Sequence, residues 1–332
     1  MLDTFEIQFN ISYELKELLY ETLNAMAKIE GGKCLHADKR NQKKKVTAAF
    51  QNFGILEIYL EKKKYDFQIG LKVKPQLVLT ECDMYYLLDE GDLIKAVKVV
   101  NHFIDSLNFK LKGVKLPFCE YWTIKRIDYA FQFTTKHYQA YLDTLQKYLP
   151  ESAVKYDGSI WLASKSTNIN FYDKTKQISD KNPEKVQCFA LEHMLRFEVQ
   201  CQRKYLQHLK DIGKIQEICL KELWNKNLAF GVLQNKMAES FTLDDFYSLE
   251  GLETVIADNL SPCKRRRLLQ LYYDTTKLPC ACEKDRELID YQVSKVQKKL
   301  RKIGVAYFRI DDDFKIDYLP NPLKIIKERE FT

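Results

Sequence analysis

The stretch Ile124-Lys125-Arg126-Ile127-Asp128-Tyr129-Ala130-Phe131 alternates apolar with polar or small side chains, the pattern of a half-buried β-strand. Successive side chains of a strand point to opposite faces of its sheet. Ile127 and Tyr129 therefore share an apolar face, and Arg126 and Asp128 share the polar one. The segment predicts a strand that presents a cation and a carboxylate side by side.

Two later segments, Leu195 to Cys201 and Ile169 to Lys174, show the same alternation. Each keeps its apolar residues on one face and leaves the other polar. Ile160 to Ala163 is the expected hairpin partner of the second. The polar faces hold Arg196, Glu198 and Gln200 in the first segment, and Asn170, Tyr172 and Lys174 in the second.

If the three strands are neighbours, their polar faces form one patch of two carboxylates, a phenol and three cations. Carboxylate oxygens are the ligands that Mg²⁺ or Mn²⁺ prefers, and such an ion polarises a phosphodiester. A tyrosine hydroxyl attacks the phosphate if nearby charges stabilise its anion, which leaves a covalent phosphotyrosine. The same alternation also occurs on ordinary solvated strands with surface ion pairs, so the pattern alone leaves both interpretations open.

The remaining pattern predicts an α+β fold with a largely antiparallel sheet and helices on one face. Ile55 to Leu60 and Tyr65 to Val73 predict a hairpin, and Asp83 to Leu107 and His137 to Leu149 predict helices. Beyond Arg203 the chain turns mostly helical. We expect a larger domain over residues 1–215 and a smaller basic module over residues 216–332.

The basic module takes its charge from a short region. Leu260 to Ile303 holds 12 Lys or Arg against 5 Asp or Glu, an excess that equals the net charge of +7 of the whole chain. Ser261 to Asp274 and Asp285 to Ile303 predict two helices, followed by a short strand pair within Ala306 to Tyr318. A basic helix pair before a hairpin is typical of winged-helix or helix-turn-helix DNA-binding modules, although a solvated helix face has the same composition. The candidate DNA-binding cations are Lys264, Arg265, Arg266, Arg267, Lys298 and Lys299.

The nine cysteines contain no Cys-x-x-Cys pair, and we find neither a signal peptide nor an apolar run of membrane-spanning length. Reduced thiols in a cytosol, with no membrane partner, are therefore expected.

Taken together, three segments of the chain resemble the replication initiators of filamentous phages and related plasmids, of the gene II and gene X type. The wider Rep_trans rolling-circle initiators are more distantly similar. The likeness covers about residues 1–215, and it also includes the region of the Glu57 to Val73 hairpin. The matching segments are Ile124 to Phe131, then Phe171-Tyr172-Asp173-Lys174, then Leu195-Arg196-Phe197-Glu198 with Arg203-Lys204-Tyr205-Leu206.

This resemblance implies a site-specific DNA nickase that starts rolling-circle replication and later rejoins the strands. Tyr172 stands where the family has its catalytic tyrosine, which becomes linked to the 5′ end of the DNA while the freed 3′-hydroxyl primes a polymerase. Asp128 and Glu198 stand where acidic ligands of Mg²⁺ or Mn²⁺ are expected. Lys174 would stabilise the tyrosinate or the phosphorane. Arg126 and Arg196 would bind flanking phosphates or orient the acids.

The resemblance also implies a bacterial cytoplasm as the setting and a host helicase and polymerase as partners, and it leaves the oligomeric state open. Many rolling-circle initiators use a His-hydrophobe-His metal motif, which none of the five histidines forms, so carboxylates must bind more of the metal. His193 is a further candidate ligand, and Tyr205 is a rival or second tyrosine. A mobilisation relaxase with the same chemistry and a non-catalytic origin-binding protein remain the alternatives.

Overall fold

We describe a computed structural model of the chain, which covers residues 1–29, 36–38, 43–63, 66–79, 86–111, 115–150, 153–181, 183, 192–276 and 283–330. The strands are β1 Leu2–Ile11, β2 His36–Asp38, β3 Lys43–Phe50, β4 Ile55–Lys62, β5 Phe67–Val73, β6 Thr123–Thr135, β7 Val154–Tyr156, β8 Ser159–Ala163, β9 Thr167–Asp173, β10 His193–Gln202, β11 Phe246–Tyr247 and β12 Tyr318–Leu319. The helices are α1 Tyr13–Ile29, α2 Gln76–Leu79, α3 Glu90–Lys110, α4 Tyr138–Gln146, α5 Lys174–Lys181, α6 Arg203–Asp211, α7 Leu220–Leu223, α8 Lys226–Ser240, α9 Leu249–Asn259, α10 Pro262–Thr276, α11 Glu283–Arg301 and α12 Pro322–Glu330.

The fold is α+β, as the alternation of the sequence predicts. In the described part of the chain, one large antiparallel sheet has the strand order β2-β3-β4-β5-β1-β6-β10-β9-β8-β7. The three predicted strands with polar faces are β6, β9 and β10, and they are sheet neighbours in the order β6-β10-β9. The predicted hairpin of β4 and β5 and the pairing of β8 with β9 are also confirmed.

The chain divides into two compact units. The first comprises Met1–Phe131, Leu162–Asn170 and Phe197–Leu233, and the second comprises Gln132–Trp161, Phe171–Arg196 and Gln234–Thr332. Their boundaries fall inside β6, β8, β9, β10 and α8.

The first unit is organised around β1, which pairs with β5 on one side and β6 on the other. Phe5 and Ile7 of β1 and Ile124 and Ile127 of β6 are completely buried, so the apolar face predicted for β6 lies in the core. Helix α1 follows β1 because Ser12 Oγ accepts a hydrogen bond from the Leu15 amide at 3.3 Å, an N-terminal cap. Its buried residues Leu15, Leu19 and Leu23 recur every four positions and form its packing face.

The second unit contains α4 and the C-terminal helices, and hydrogen bonds join the region of α4 to the chain between α11 and α12. The Tyr141 hydroxyl donates to the Pro320 carbonyl at 2.9 Å, and Lys147 Nζ donates to the Arg309 carbonyl at 2.8 Å. The predicted helix pair is confirmed as α10 and α11. A buried cluster joins these two helices to α9 and to the chain after α11, and it consists of Leu252, Ile256, Leu268, Tyr272, Val296, Leu300, Val305 and Tyr307.

The strand pair predicted within Ala306 to Tyr318 is wrong. Tyr318 and Leu319 pair instead with Tyr247 and Phe246, more than 70 residues earlier in the chain. Asp312–Phe314 forms a 3-10 turn, and Lys315 follows it in the left-handed region with φ 52°. A local hairpin is therefore replaced by a long-range pairing. Among the described helices, none has the length and apolar character that crossing a membrane requires.

Candidate active site

Arg126 and Asp128 lie side by side on the polar face of β6, as the alternation predicts. Arg126 Nη2 lies 2.8 Å from Asp128 Oδ2. On the neighbouring strand β1, Glu6 pairs with Arg126 and Thr4 pairs with Asp128, so this polar face continues across the two strands. A register shift between Glu6 and Ile7 leaves Lys125 as an extra residue of β6, a β-bulge.

Asp128 is an almost completely buried carboxylate of the first unit. Its residue is only 1% exposed, and its Oδ1 atom is buried with no hydrogen-bond partner among the described residues. Burial raises the pKa of Asp128 well above its ordinary value; Arg126 opposes this shift, and the negative charges of Glu198 and Asp3 add to it. A buried oxygen without a donor is costly for the fold, so a ligand that satisfied it would be stabilised there.

Glu198 lies on the polar side of β10 and is 7% exposed. Its Oε1 accepts a hydrogen bond from Gln200 Nε2 at 2.9 Å, and Gln200 Oε1 accepts one from Asn168 Nδ2 of β9 at 3.4 Å. These contacts hold the Glu198 carboxylate in one orientation. Its negative charge contributes to the raised pKa of Asp128, so we treat the two predicted acids as one electrostatic cluster.

Asp3 is a third acid of this cluster, and the sequence pattern did not single it out. A register shift between Leu2 and Thr4 makes Asp3 the extra residue of a bulge in β1, so it departs from simple alternation. Its Oδ2 accepts a hydrogen bond from Thr4 Oγ1 at 2.9 Å, and its Oδ1 accepts one from Gln76 Nε2 at 3.4 Å. The one signal in the sequence was an acid at the start of a strand that is otherwise apolar at that parity.

Tyr59 is a second feature that the sequence did not reveal. Lys125 Nζ donates to its hydroxyl oxygen at 3.2 Å and lies 3.0 Å from Glu6 Oε1. Burial, followed by the charges of Glu6, Glu61 and Glu57, raises the pKa of Tyr59 far above its ordinary value. The neutral phenol is therefore strongly favoured, which makes Tyr59 a poor nucleophile and a packing residue.

The donor set of this cluster suits a hard divalent ion only in part. Among the described residues, no group of three or more His, Cys, Asp or Glu side chains is placed to share one metal. Mg²⁺, however, keeps several waters and is commonly held by one or two carboxylates together with substrate phosphates. Asp128, with its unsatisfied Oδ1, and Glu198 fit that two-carboxylate arrangement.

Tyr172 and Lys174 belong to the second unit. Tyr172 is 5% exposed and lies in β9, whereas Lys174 is the first residue of α5 and not part of the strand as predicted. The strand ends because Asp173 Oδ1 accepts a hydrogen bond from the Lys176 amide at 3.0 Å and so caps the helix. The Lys174 ammonium nevertheless lies 5.8 Å from the centre of the Tyr172 ring, and it also donates to Gln177 Oε1 at 2.8 Å.

His193 is paired with Asp173 rather than placed as an isolated ligand. Its Nδ1 contacts the Oδ2 atom of Asp173, whose side chain is only 1% exposed. The Tyr138 ring stacks on the imidazole with centroids 3.8 Å apart and planes 10° apart. The pair and its stacked ring join the end of β9 to the start of β10. The sequence signal for this pair was Asp173, an acidic residue directly after Tyr172.

Arg196 is completely buried in the second unit, where its Nε and Nη2 atoms lie 3.0 and 2.6 Å from Gln132 Oε1. Contact with a phosphate would require this pairing to open. Tyr205 is 9% exposed and packs in α6 of the first unit, with its ring 6.3 Å from that of His208. The roles predicted for both residues stay predictions.

The six candidate cations of the C-terminal helices fall into two sets. Arg266, Arg267 and Lys299 line a groove between α10 and α11. Lys264, Arg265 and Lys298 are exposed on the same helices but do not line it.

A comparison with known proteins finds no matching family model and no significantly similar curated protein.

Proposed function

We propose that the chain is a site-specific DNA nickase that starts rolling-circle replication through a covalent 5′-phosphotyrosine and later rejoins the strands. The observation that carries the proposal is the buried Asp128 carboxylate, whose Oδ1 has no hydrogen-bond partner among the described residues while Glu198 acts on it electrostatically. Buried acids with a raised pKa mark candidate functional sites, and a divalent ion held by carboxylates can activate a phosphodiester.

In this proposal Asp128 and Glu198 hold a Mg²⁺ or Mn²⁺ ion, which when bound polarises the scissile phosphate. Arg126 fixes the other oxygen of Asp128 and places a positive charge beside the phosphate. Gln200 keeps Glu198 oriented. Arg196 either contacts a flanking phosphate once released from Gln132 or orients the acids.

Tyr172 is the proposed nucleophile. Its hydroxyl oxygen forms the new bond to phosphorus as its proton leaves, and the bond from phosphorus to the 3′-oxygen breaks, so that oxygen takes a proton and becomes the primer hydroxyl. Lys174 supports this step because its ammonium lies beside the Tyr172 ring, where it stabilises developing negative charge. The phenol is buried, so binding of DNA must uncover it. Reversal of the same exchange rejoins the strands.

The proposal requires Tyr172 to meet the carboxylates of Asp128 and Glu198 at one phosphate. Its support is the strand alternation in β9, where residues two apart share a face, so Asn168, Asn170 and Tyr172 follow one another on the same side. Asn168 bonds to Gln200, which in turn bonds to Glu198. The nickase-like arrangement with helices on one face of the sheet, over residues 1–215, belongs to the same proposal.

The proposed setting is the replication of a phage or plasmid in a bacterial cytoplasm, with a host helicase and polymerase as partners. The basic, winged-helix-like module of residues 216–332 would hold DNA. The burial of Tyr172 favours one alternative, a non-catalytic origin-binding protein. A mobilisation relaxase would share the chemistry and differ in the DNA it processes.

The decisive experiment incubates the full chain and Mn²⁺ with a supercoiled plasmid that carries the DNA flanking its gene. Mass spectrometry then identifies the tyrosine that stays attached to DNA. We expect nicking with the adduct on Tyr172 and none with Tyr172→Phe, whereas Tyr205→Phe still starts the reaction. An adduct on Tyr205, or nicking by Tyr172→Phe, would reject the assignment. DNA binding without any nicking would favour the non-catalytic alternative.

A further inference from the structure

A groove of about 750 Å³ runs between α10 and α11 of the second unit. Four cationic side chains line it, Arg266 and Arg267 from α10 and Lys295 and Lys299 from α11, and Asp274 is the one acid among the described lining residues. Lys295 is not among the candidate cations predicted from the sequence; it lies one helical turn before Lys299, on the same face of α11. The groove concentrates positive charge that the sequence shows only as two separate basic runs.

These four cations are not neutralised by the described part of the protein. None of them forms an ion pair or a side-chain hydrogen bond with a described residue, whereas Asp274 already accepts a hydrogen bond from Gln270 at 2.8 Å. Four like charges along one concavity repel each other, and an anionic ligand relieves that repulsion. The groove is therefore suited to a polyanion.

The shape of the site selects among polyanions. A helix that reads duplex DNA must protrude to enter the major groove, whereas these cations line a recess between two helices. The recess extends from Pro262 to Asp274 along α10, roughly 18 Å at the α-helical rise. An extended strand fits along a recess of that length, whereas a concave site lacks the protruding element that enters the groove of a duplex. Among the lining residues that the structure describes, none is an aromatic on which a base could stack.

We propose that the groove between α10 and α11 binds the phosphate backbone of a single DNA strand, without reading its sequence. This inference rests on the proposed nickase function, in which a strand is separated from its complement. Because base stacking does not contribute, the affinity is almost wholly electrostatic and falls steeply with salt, by about 0.7 of a logarithmic unit per neutralised phosphate for each decade of salt. Binding is nearly equal for oligothymidylate and oligodeoxycytidylate.

The two sets of cations allow a test in which two variants lose the same number of positive charges. The groove variant is Arg266→Gln/Arg267→Gln/Lys299→Gln, and the matched control is Lys264→Gln/Arg265→Gln/Lys298→Gln; each removes three positive charges from the same two helices. Affinity for a labelled 20-nucleotide oligothymidylate is measured by fluorescence anisotropy without metal. We expect the groove variant to lose roughly tenfold or more in affinity and about two units of salt slope, and the control to lose much less.

Alkylation of Cys263 provides a second readout, which can be measured in the wild type as well as in the two variants. Cys263 is exposed and lies in the groove, whereas Cys119 and Cys201 are buried. Oligothymidylate should protect Cys263 from alkylation by iodoacetamide, as measured by mass spectrometry of the peptide that contains it. The protection should persist in the matched control and disappear in the groove variant.

Equal losses of affinity in the two variants, or unchanged alkylation of Cys263 on saturation with DNA, would overturn the proposal. So would a groove variant that loses affinity only for a duplex of the same length. The groove proposal and the nickase proposal can fail separately. A chain that binds the strand in this groove but never forms a tyrosine adduct would refute only the nickase proposal. A chain that nicks normally and shows no groove binding would refute only the groove proposal.

Discussion

Two aspartates, one in each unit, are almost completely buried and yet are held in different ways. Asp173, at the end of β9, is 2% exposed and has a partner at both oxygens, the Lys176 amide and His193. Asp128, in the middle of β6, is 1% exposed and has a partner at only one oxygen, through Arg126. A fully satisfied buried carboxylate stabilises local structure, whereas one left partly unsatisfied marks a site for a ligand.

The largest difference between the two aspartates is expected in catalysis. Asp128→Asn should lower the rate of plasmid nicking by about 100-fold or more, because it removes a ligand charge from the metal site. Asp173→Asn should keep most of the activity, since an asparagine side chain still caps α5. Single-turnover nicking in a Mn²⁺ titration measures both. Equal losses in the two variants would remove the functional distinction between the sites.

The next effect concerns the ion pair of Asp128. Arg126→Ala should lower the free energy of unfolding by about 3 kcal/mol, because it leaves a buried carboxylate without its counter-charge. Arg266→Ala removes an exposed arginine and should change stability by less than about 0.5 kcal/mol. Urea denaturation measures the free energy of unfolding of both variants. Adding Asp128→Asn to Arg126→Ala should recover part of the loss, and a purely additive double variant would contradict the coupling.

The pH dependence of stability isolates Asp128 further. Because burial raises the pKa of Asp128, the folded chain keeps a proton there that the unfolded chain has already released. Asp128 therefore makes the free energy of unfolding fall as pH rises from about 4 to the raised pKa, by at most about 1.4 kcal/mol per pH unit. The free energy of unfolding is measured for the wild type and for Asp128→Asn across pH 4 to 8. The wild-type value minus the variant value should fall as pH rises, and a rise would refute the assignment.

The smallest effect is expected at Asp173. Asp173→Ala should cost about 1 kcal/mol, because it removes the cap of α5 and the partner of His193. Asp173→Asn retains the cap and should cost less, which separates the two contributions. Thermal unfolding of both variants measures the difference. If Asp173→Asn cost as much as Asp173→Ala, the contact with His193 would outweigh the cap.

Alternation along the chain was enough to predict β6, β9 and β10 and the position of Asp128 beside Arg126 on one face of β6. It failed where the backbone departs from a period of two. The bulge at Asp3 hid a third acid, and the bulge at Lys125 added a cation to the polar face. The cap at Asp173 turned Lys174 from a strand residue into a helical one.

Long-range packing set a second limit on prediction. Tyr59 lies across Gly70 of the paired strand, and a Cβ atom at that glycine would lie 2.0 Å from the ring of Tyr59. Nothing in the segment around Tyr59 reveals this, because the space is created by a residue on another strand. The pairing of β11 with β12 likewise replaced a local hairpin by a contact across more than 70 residues.

The two compact units are each assembled from three separate pieces of chain. The second unit cannot finish folding before the segment from Gln234 onward has been synthesised, because that segment is its last piece. Contacts between residues distant in sequence slow folding, since the loops between them must close first. A chain truncated after residue 215 would lack the partners of Tyr141 and Lys147 and expose part of that unfinished unit. Synthesis of the full chain is therefore a precondition for a stable second unit.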